Sequence, residues 1–322
     1  SSLGFSQTEV GGIIFDNTTW GLEESPYIVV SSTIVPDSVT LSIEPGVTVK
    51  LESLKSIQID GALIAQGTLG NKIIFTSNQA TPAAGDWGQI LFTSSSQDAQ
   101  LNANGEYISG SVLEYCEISY GGNSSNAMIK ADESSPLIDN CLISHSSTNG
   151  LDCVGNSIVV RNSTINNSFY RGMLWSTTYL APSCSLTFVG NTVSQNNRQG
   201  LYINCTEGYA LVDNNQILNN GWDGLYAGNC NGDVSITNNF ISSNYRGLYL
   251  SCGCRATSTG LVSGNVIVDN YAGQSVGSWP NDNGNYMGNI GSGAGIEISG
   301  QDMDYTIEHN LIFNNGAYAT YA

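Results

Sequence analysis

The chain is poor in charge, and in positive charge above all. Of its 322 residues only 11% are charged, with 9 Lys and Arg against 27 Asp and Glu, for a net charge of -18. Soluble domains carry roughly 25% charged residues. Nucleic acid is excluded as a partner, because phosphate binding needs clustered Lys and Arg. The same shortage disfavours an anionic membrane surface. No apolar run approaches the ~20 residues of a membrane-spanning helix, so insertion is excluded as well. There are only 2 His and 7 Pro. A Ser-His-Asp centre is hard to build from two scattered histidines. The eight cysteines form no CxxC, which removes the zinc, thioredoxin-like and haem readings. Residues with a strong helical preference are scarce.

Glycine (37) and asparagine (35) are abundant, with 16 Tyr and 40% hydrophobic residues. That is too apolar for a disordered chain and points to a turn-rich, all-β architecture. From residue 137 onward one phrase recurs. It reads DNCLISHSSTNGL from Asp139, RNSTINNSFYRGM from Arg161, GNTVSQNNRQGLY from Gly190 and NNQILNNGWDGLY from Asn214. It continues as NNFISSNYRGLY from Asn238, GNVIVDNYAG from Gly264 and HNLIFNNGAYATY from His309. The glycines Gly150, Gly172, Gly200, Gly224 and Gly247 lie 22, 28, 24 and 23 residues apart. A period near 24 is too short for a propeller blade and contains no helical repeat, so a parallel β-solenoid remains.

In such a solenoid Ile143, Ile165, Val193, Ile217, Ile241, Ile267 and Ile312 form one inward column. Asn140, Asn162, Asn191, Asn215, Asn239, Asn265 and Asn310 form a ladder at a turn, where Asn tolerates left-handed φ and can bond its equivalent one coil away. His145 and His309 fall in the same turn context. Short β-rich runs at 27–30, 39–43, 47–51, 56–59, 72–75 and 89–92 extend the pattern to the first half. No linker interrupts the chain. The reading is one domain over 1–322 with roughly 11–12 coils. Residues 1–26 form an N-terminal cap, 271–293 a long inserted loop and 317–322 an exposed terminal strand. The chain starts at Ser1 without a signal peptide, which reads as the mature form of a secreted precursor.

The stretches TTWGLEESPYIVV (18–30), SVTLSIEPGVTVKLE (38–52), IDGALIAQGT (59–68), NKIIFTS (71–77) and DWGQILF (86–92) resemble secreted and cell-surface right-handed parallel β-helix proteins of bacteria and archaea. The later repeats are similar to the pectate-lyase-like repeats of that family. The resemblance implies a single-stranded right-handed β-helix and an extracellular setting. Activity does not follow, because the fold hosts lyases, hydrolases, adhesins and structural proteins.

The family's polygalacturonase-type hydrolases carry an Asp-Asp pair and a Gly-His-Gly, and neither is present. A lyase would use Arg171 and Arg246 flanking Asp223 to hold a uronate carboxylate and supply a base. Asp213, Asp223 and Asp233 share no register for calcium, so no metal or other cofactor is assigned. Tyr202, Tyr226 and Tyr249 should stack in one outward column, with Trp222 and Tyr245 at the adjoining turn, as a surface for sugar rings or a partner. Cys116, Cys141, Cys153, Cys184, Cys205, Cys230, Cys252 and Cys254 read as inter-coil disulfides. The leading functional expectation is a non-catalytic extracellular structural protein, self-associating head to tail through Tyr318, Tyr321 and Trp279. The alternatives are an adhesin that binds cell-surface glycan and a lyase acting on acidic polysaccharide.

Overall fold

A computed structural model describes residues 7–123, 127–155, 157–177, 184–204, 208–228, 233–252, 258–270, 294–300 and 303–316. The chain winds as a parallel β-solenoid with about 24 residues in each coil. Three sheets run along its length. Sheet I stacks 11 strands, from Thr18–Trp20 to Met303–Glu308. Sheet II runs from Thr48–Leu51 to Leu311–Phe313, and sheet III from Ile57–Ile59 to Ile296–Gly300. Sheets II and III meet at the long strand Tyr27–Val35, whose first half pairs with Thr48–Leu51 and whose second half pairs with Ile57–Ile59. Thr8–Ile13 pairs in parallel with that strand, so the N-terminal segment already contributes to the solenoid. About ten turns result, fewer than the 11–12 coils expected from the repeat. Part of the length goes into an antiparallel hairpin (Gln100–Leu101 with Tyr107–Ser109), which the repeat pattern did not reveal.

The inward column falls where the repeat places it: Ile143, Ile165, Val193, Ile217, Ile241, Ile267 and Ile312 are successive in-register partners. Burial of such aliphatics, at ~1.5–3 kcal/mol each, is the main stabilising term. Trp87 and Trp175 fill the same core completely.

The asparagine ladder needs a correction. Left-handed φ and inter-coil bonding are separate jobs on neighbouring residues. At the corner between sheets I and II, Asn140, Asn162, Gly190, Asn214, Asn238, Gly264 and His309 take positive φ. The residue after each forms the ladder, which is Asn191, Asn215, Asn239, Asn265 and Asn310. Asn140 and Asn162 therefore lie beside the ladder, whose places in their coils are held by Cys141 and Ser163. A second ladder, unanticipated, follows at the corner between sheets II and III. It comprises Asn196, Asn220, Asn244, Asn270 and Asn315, again each after a positive-φ residue. His145 occupies one of those positive-φ positions and stacks on Tyr120.

The glycine column lines the second corner. A Cβ on Gly200 would lie 2.7 Å from the Gly224 carbonyl and 2.9 Å from Ile217 Cγ2. Steric exclusion, rather than φ, requires glycine there.

The disulfide reading fails for the cysteines whose side chains are described. Cys116, Cys141, Cys153 and Cys184 are buried and form no disulfide. Cys116 and Cys141 are aligned in adjacent coils, where Cβ separations follow the ~4.8 Å strand spacing. A disulfide needs Cβ atoms ~3.5–4.5 Å apart. Each thiol donates to backbone carbonyls instead, Cys116 to Ala65 and Cys141 to Leu113. Cys205, Cys230 and Cys254 lie outside the described residues, and of Cys252 only the backbone, in the strand Arg246–Cys252, is described.

Candidate functional site

Sheet III carries most of the chemistry. Its outward column runs Leu91, Lys130, Asp152, Leu174, Tyr202, Tyr226, Tyr249, Glu297, one residue from each coil. The strand enters this sheet from the glycine corner, so the residues just before the glycines also reach the face. They stack as Asn149, Arg171, Gln199, Asp223 and Arg246. Arg171 Nε donates to Gln199 Oε1 (3.1 Å), and Gln199 Nε2 donates to Asp223 Oδ2 (3.4 Å). A third column at the turn holds Tyr170, Arg198, Trp222 and Tyr245, linked by backbone bonds from coil to coil.

The tyrosine column forms as the sequence predicts, but it is half-buried and packed on itself. Tyr202 and Tyr226 stack with centroids 4.4 Å apart at 11°, and Tyr249 meets Tyr226 edge-on at 5.3 Å. Guanidinium groups cover the rings. Arg171 lies 4.6 Å from the Tyr202 centroid and Arg246 3.8 Å from that of Tyr249. Arg198 sits between Tyr170 (4.5 Å) and Trp222 (5.1 Å). Each such contact contributes ~0.5–1 kcal/mol where exposed and more where water is excluded. Burial pushes the Tyr226 hydroxyl up to about 12, so it is a hydrogen-bonding phenol at neutral pH.

Of the three residues the lyase reading selects, two are already committed to each other. Asp223 is buried and bonded by Arg246 Nε, and Arg246 Nη1 reaches Glu297 at 3.2 Å. Burial pushes the Asp223 carboxyl up, and Arg246 and Gln199 oppose that shift. Burial works against the charge on Arg246, but Asp223 and Glu297 outweigh it and raise its pKa above the ordinary value. A guanidinium held by two carboxylates is a poor base. Arg171 is different, with a neutral glutamine and a tyrosine ring among its partners.

The sequence reading overlooked the neighbouring pair Lys130 and Asp152, which are in-register partners in adjacent coils. Asp152 is only 3% exposed, and its Oδ1 has no hydrogen-bond partner. Lys130 turns to Asp132 at 3.3 Å instead. Burial pushes the Asp152 carboxyl up to about 6, against the pull of Lys130 and Arg171 and with a small push from Asp132. Lys130, Arg171, Arg198 and Arg246 together place four of the chain's nine basic residues on one strip. Five strand spacings of ~4.8 Å make it about 24 Å long.

A separate cavity of about 320 Å³ lies beneath the hairpin on sheet I, lined by Gln100, Leu101, Leu137, Val159, Ser185 and Asp98. It presents no basic side chain. Among the described residues no three His, Cys, Asp or Glu side chains cluster as metal ligands. Trp279, Tyr318 and Tyr321, the residues assigned to self-association, lie outside the described residues.

Residues 12–137 match the family model described as a pectate-lyase-like β-helix domain, and residues 171–322 match that of the right-handed β-helix region. The chain is a right-handed β-helix repeat protein. Solved structures similar to this β-helix protein include a mutant of a periplasmic alginate epimerase, 14% identical with a TM-score of 0.63, covering 94% of this chain and 70% of the other. A mannuronan C-5 epimerase A-module of Azotobacter vinelandii matches at 14% identity and a TM-score of 0.53, over 97% of this chain and 91% of that module. A second such module from the same organism gives 14% identity and 0.54, over 94% and 88%. At this identity the likeness establishes the fold. No curated protein matches the sequence significantly.

Proposed function

We propose that this β-helix protein binds and modifies an acidic, uronate-containing polysaccharide along the outer face of sheet III, in an extracellular or periplasmic setting. The observation that carries the reading is the concentration of Lys130, Arg171, Arg198 and Arg246 among stacked aromatic rings on one strip of a strongly acidic protein. Guanidinium groups bind carboxylates, and aromatic faces support pyranose rings. Regular spacing along the solenoid suits a polymer whose charged rings recur along its length. The epimerases among the structural neighbours act on alginate or mannuronan by their titles, which favours this reading over a purely structural role.

Lyase and C5-epimerase chemistry both begin by removing the proton α to the uronate carboxylate. Arg171 and Lys130 would neutralise that carboxylate, and the outer edge of Tyr202, whose faces are covered by Arg171 and Tyr226, would line the sugar site. Arg246 is better read as a support that fixes Tyr249 and Asp223. The test is incubation with mannuronate, guluronate and galacturonate polymers, with and without calcium, in deuterated water. New unsaturated ends or deuterium at C5 would support the proposal. Failure of every polymer to bind or react would refute it. Arg171→Ala should weaken retention on the active polymer at least tenfold while the protein still unfolds cooperatively, its melting temperature lowered only by the loss of the Gln199 and Tyr202 contacts.

A further inference from the structure

Asp152 is not used by the reading above, and its surroundings are unusual. Its carboxylate stands in the outward column of sheet III, yet the side chain is 3% exposed and Oδ1 has no hydrogen-bond partner. A buried charge without partners is costly, so such groups normally acquire bonds or neutralise. The charged groups facing it come from both neighbouring strands and the corner. Lys130 and Asp132 are on the coil before, with Lys130 bonded to Asp132, and Arg171 is on the coil after. Arg171 directs its Nε towards Gln199 and its guanidinium plane over Tyr202. Two cations thus flank the carboxyl, and neither bonds its Oδ1.

An anionic sugar drawn in by Lys130 and Arg171 would bring a second carboxylate beside the first. Two carboxylates that share one site cannot both remain ionised, and one takes up a proton. We infer that Asp152 is the proton-exchanging group of this face, so that an acidic glycan binds with uptake of one proton from solvent and is held by an Asp152 O–H donating to the sugar carboxylate. The inference rests on the acidic-glycan reading. In balance, a solvent proton adds to the Asp152 carboxylate, no covalent bond of the sugar breaks, and the net charge of the complex rises by one. Its consequence is a pH-dependent grip, tighter in mildly acidic surroundings and weaker above neutrality. Burial, which already pushes this carboxyl up to about 6, acts in the same direction.

The experiment is calorimetric binding of mannuronate and galacturonate oligosaccharides to the full chain and to Asp152→Asn. It runs from pH 5 to pH 8 in buffers of different ionisation enthalpy. The wild type should take up close to one proton at pH 7.5 and lose about tenfold in affinity per pH unit above the range in which Asp152 titrates. Asp152→Asn, folded by its melting profile, should bind without proton uptake and with flat pH dependence. Binding by the wild type without proton uptake overturns the inference and leaves the acidic-glycan reading standing. So does uptake that persists in Asp152→Asn. Absence of binding at every pH refutes both.

Discussion

Asn219 and Asn220 are adjacent, identical in type and opposite in what they do, which makes them a sharp test of how the solenoid is held. Asn220 is buried, and its Oδ1 accepts from Asn196 N (3.2 Å) and Asn196 Nδ2 (3.0 Å). Its Nδ2 donates to Val193 O (3.1 Å) and Asn244 Oδ1 (3.0 Å). Asn220→Ala removes all four bonds and leaves buried groups unpaired on both neighbouring coils. At about 1 kcal/mol net per bond the loss is about 4 kcal/mol, before any cost of the orphaned groups. Asn219 has φ of 54°, points to solvent, and donates only its backbone N–H, to Ser242. Asn219→Gly should be near neutral, and Asn219→Ala should cost about 1 kcal/mol for left-handed backbone. Urea unfolding followed by tryptophan fluorescence gives the three values. Amide exchange at Asn196 reports whether the damage is local, as nearest-neighbour stacking requires. If Asn220→Ala costs no more than Asn219→Ala, the division of labour between the two positions is wrong.

Four further predictions rest on the same geometry. Gly200→Ala should destabilise by at least 1–3 kcal/mol through overpacking, because its Cβ would meet Gly224 O, Asn220 Nδ2 and Ile217 Cγ2 inside 3 Å. Gly70→Ala, with nothing within 4 Å, should leave thermal unfolding unchanged or slightly raised. Cys116, Cys141, Cys153 and Cys184 should resist a thiol reagent in the native protein and all react after denaturation without reductant, because burial also pushes the Cys116 and Cys153 thiols up. Peptide mapping that finds them oxidised would contradict this. Asp152, whose carboxyl lies at about 6 against an ordinary 3.8, costs no stability while protonated in both states. Its penalty grows as pH rises from about 4 to 6, reaching about 3 kcal/mol. Asp152→Asn should therefore gain by that amount relative to wild type between pH 4 and pH 8 in paired unfolding curves.

The columns were legible because a period near 24 places chemically equal residues in equal places. The errors arose where that alignment was taken from the wrong residue. Asn191 and Asn215 precede the inward aliphatics Val193 and Ile217 by two residues, whereas Asn140 and Asn162 precede Ile143 and Ile165 by three. Counting back from the aliphatic column separates the ladder from the left-handed position. The second ladder, Asn196 to Asn315, stands three residues after the same aliphatics and was equally available by that count. Lys130 and Asp152 were harder, because their coils lack an aromatic at the Tyr202 position and Met128 replaces the corner glycine. Even a correct alignment would have shown only an outward Asp. Its burial depends on the cover given by side chains from adjacent coils, which no sequence column records. Cys116 and Cys141 misled because equal positions give the Cα spacing of a disulfide, while parallel side chains keep their Cβ atoms too far apart.

A net charge of -18 argues against a polyanionic substrate, and the structure changes the weight of that argument. Charges separated by more than ~10 Å are largely screened at moderate ionic strength, so a bound polymer responds to the strip beneath it rather than to the whole surface. On that strip Asp223 and Glu297 are consumed by Arg246, and Asp132 by Lys130. Arg171 and Arg198 are directed over aromatic rings on the same face. The one carboxylate left without a hydrogen-bond partner at Oδ1 is Asp152, the group best able to lose its charge when an anion arrives. Acidity elsewhere would then act on the rate of approach and on the salt dependence more than on the bound state. Added salt should speed association of an oligouronate with this protein, the reverse of the usual steering by opposite charge.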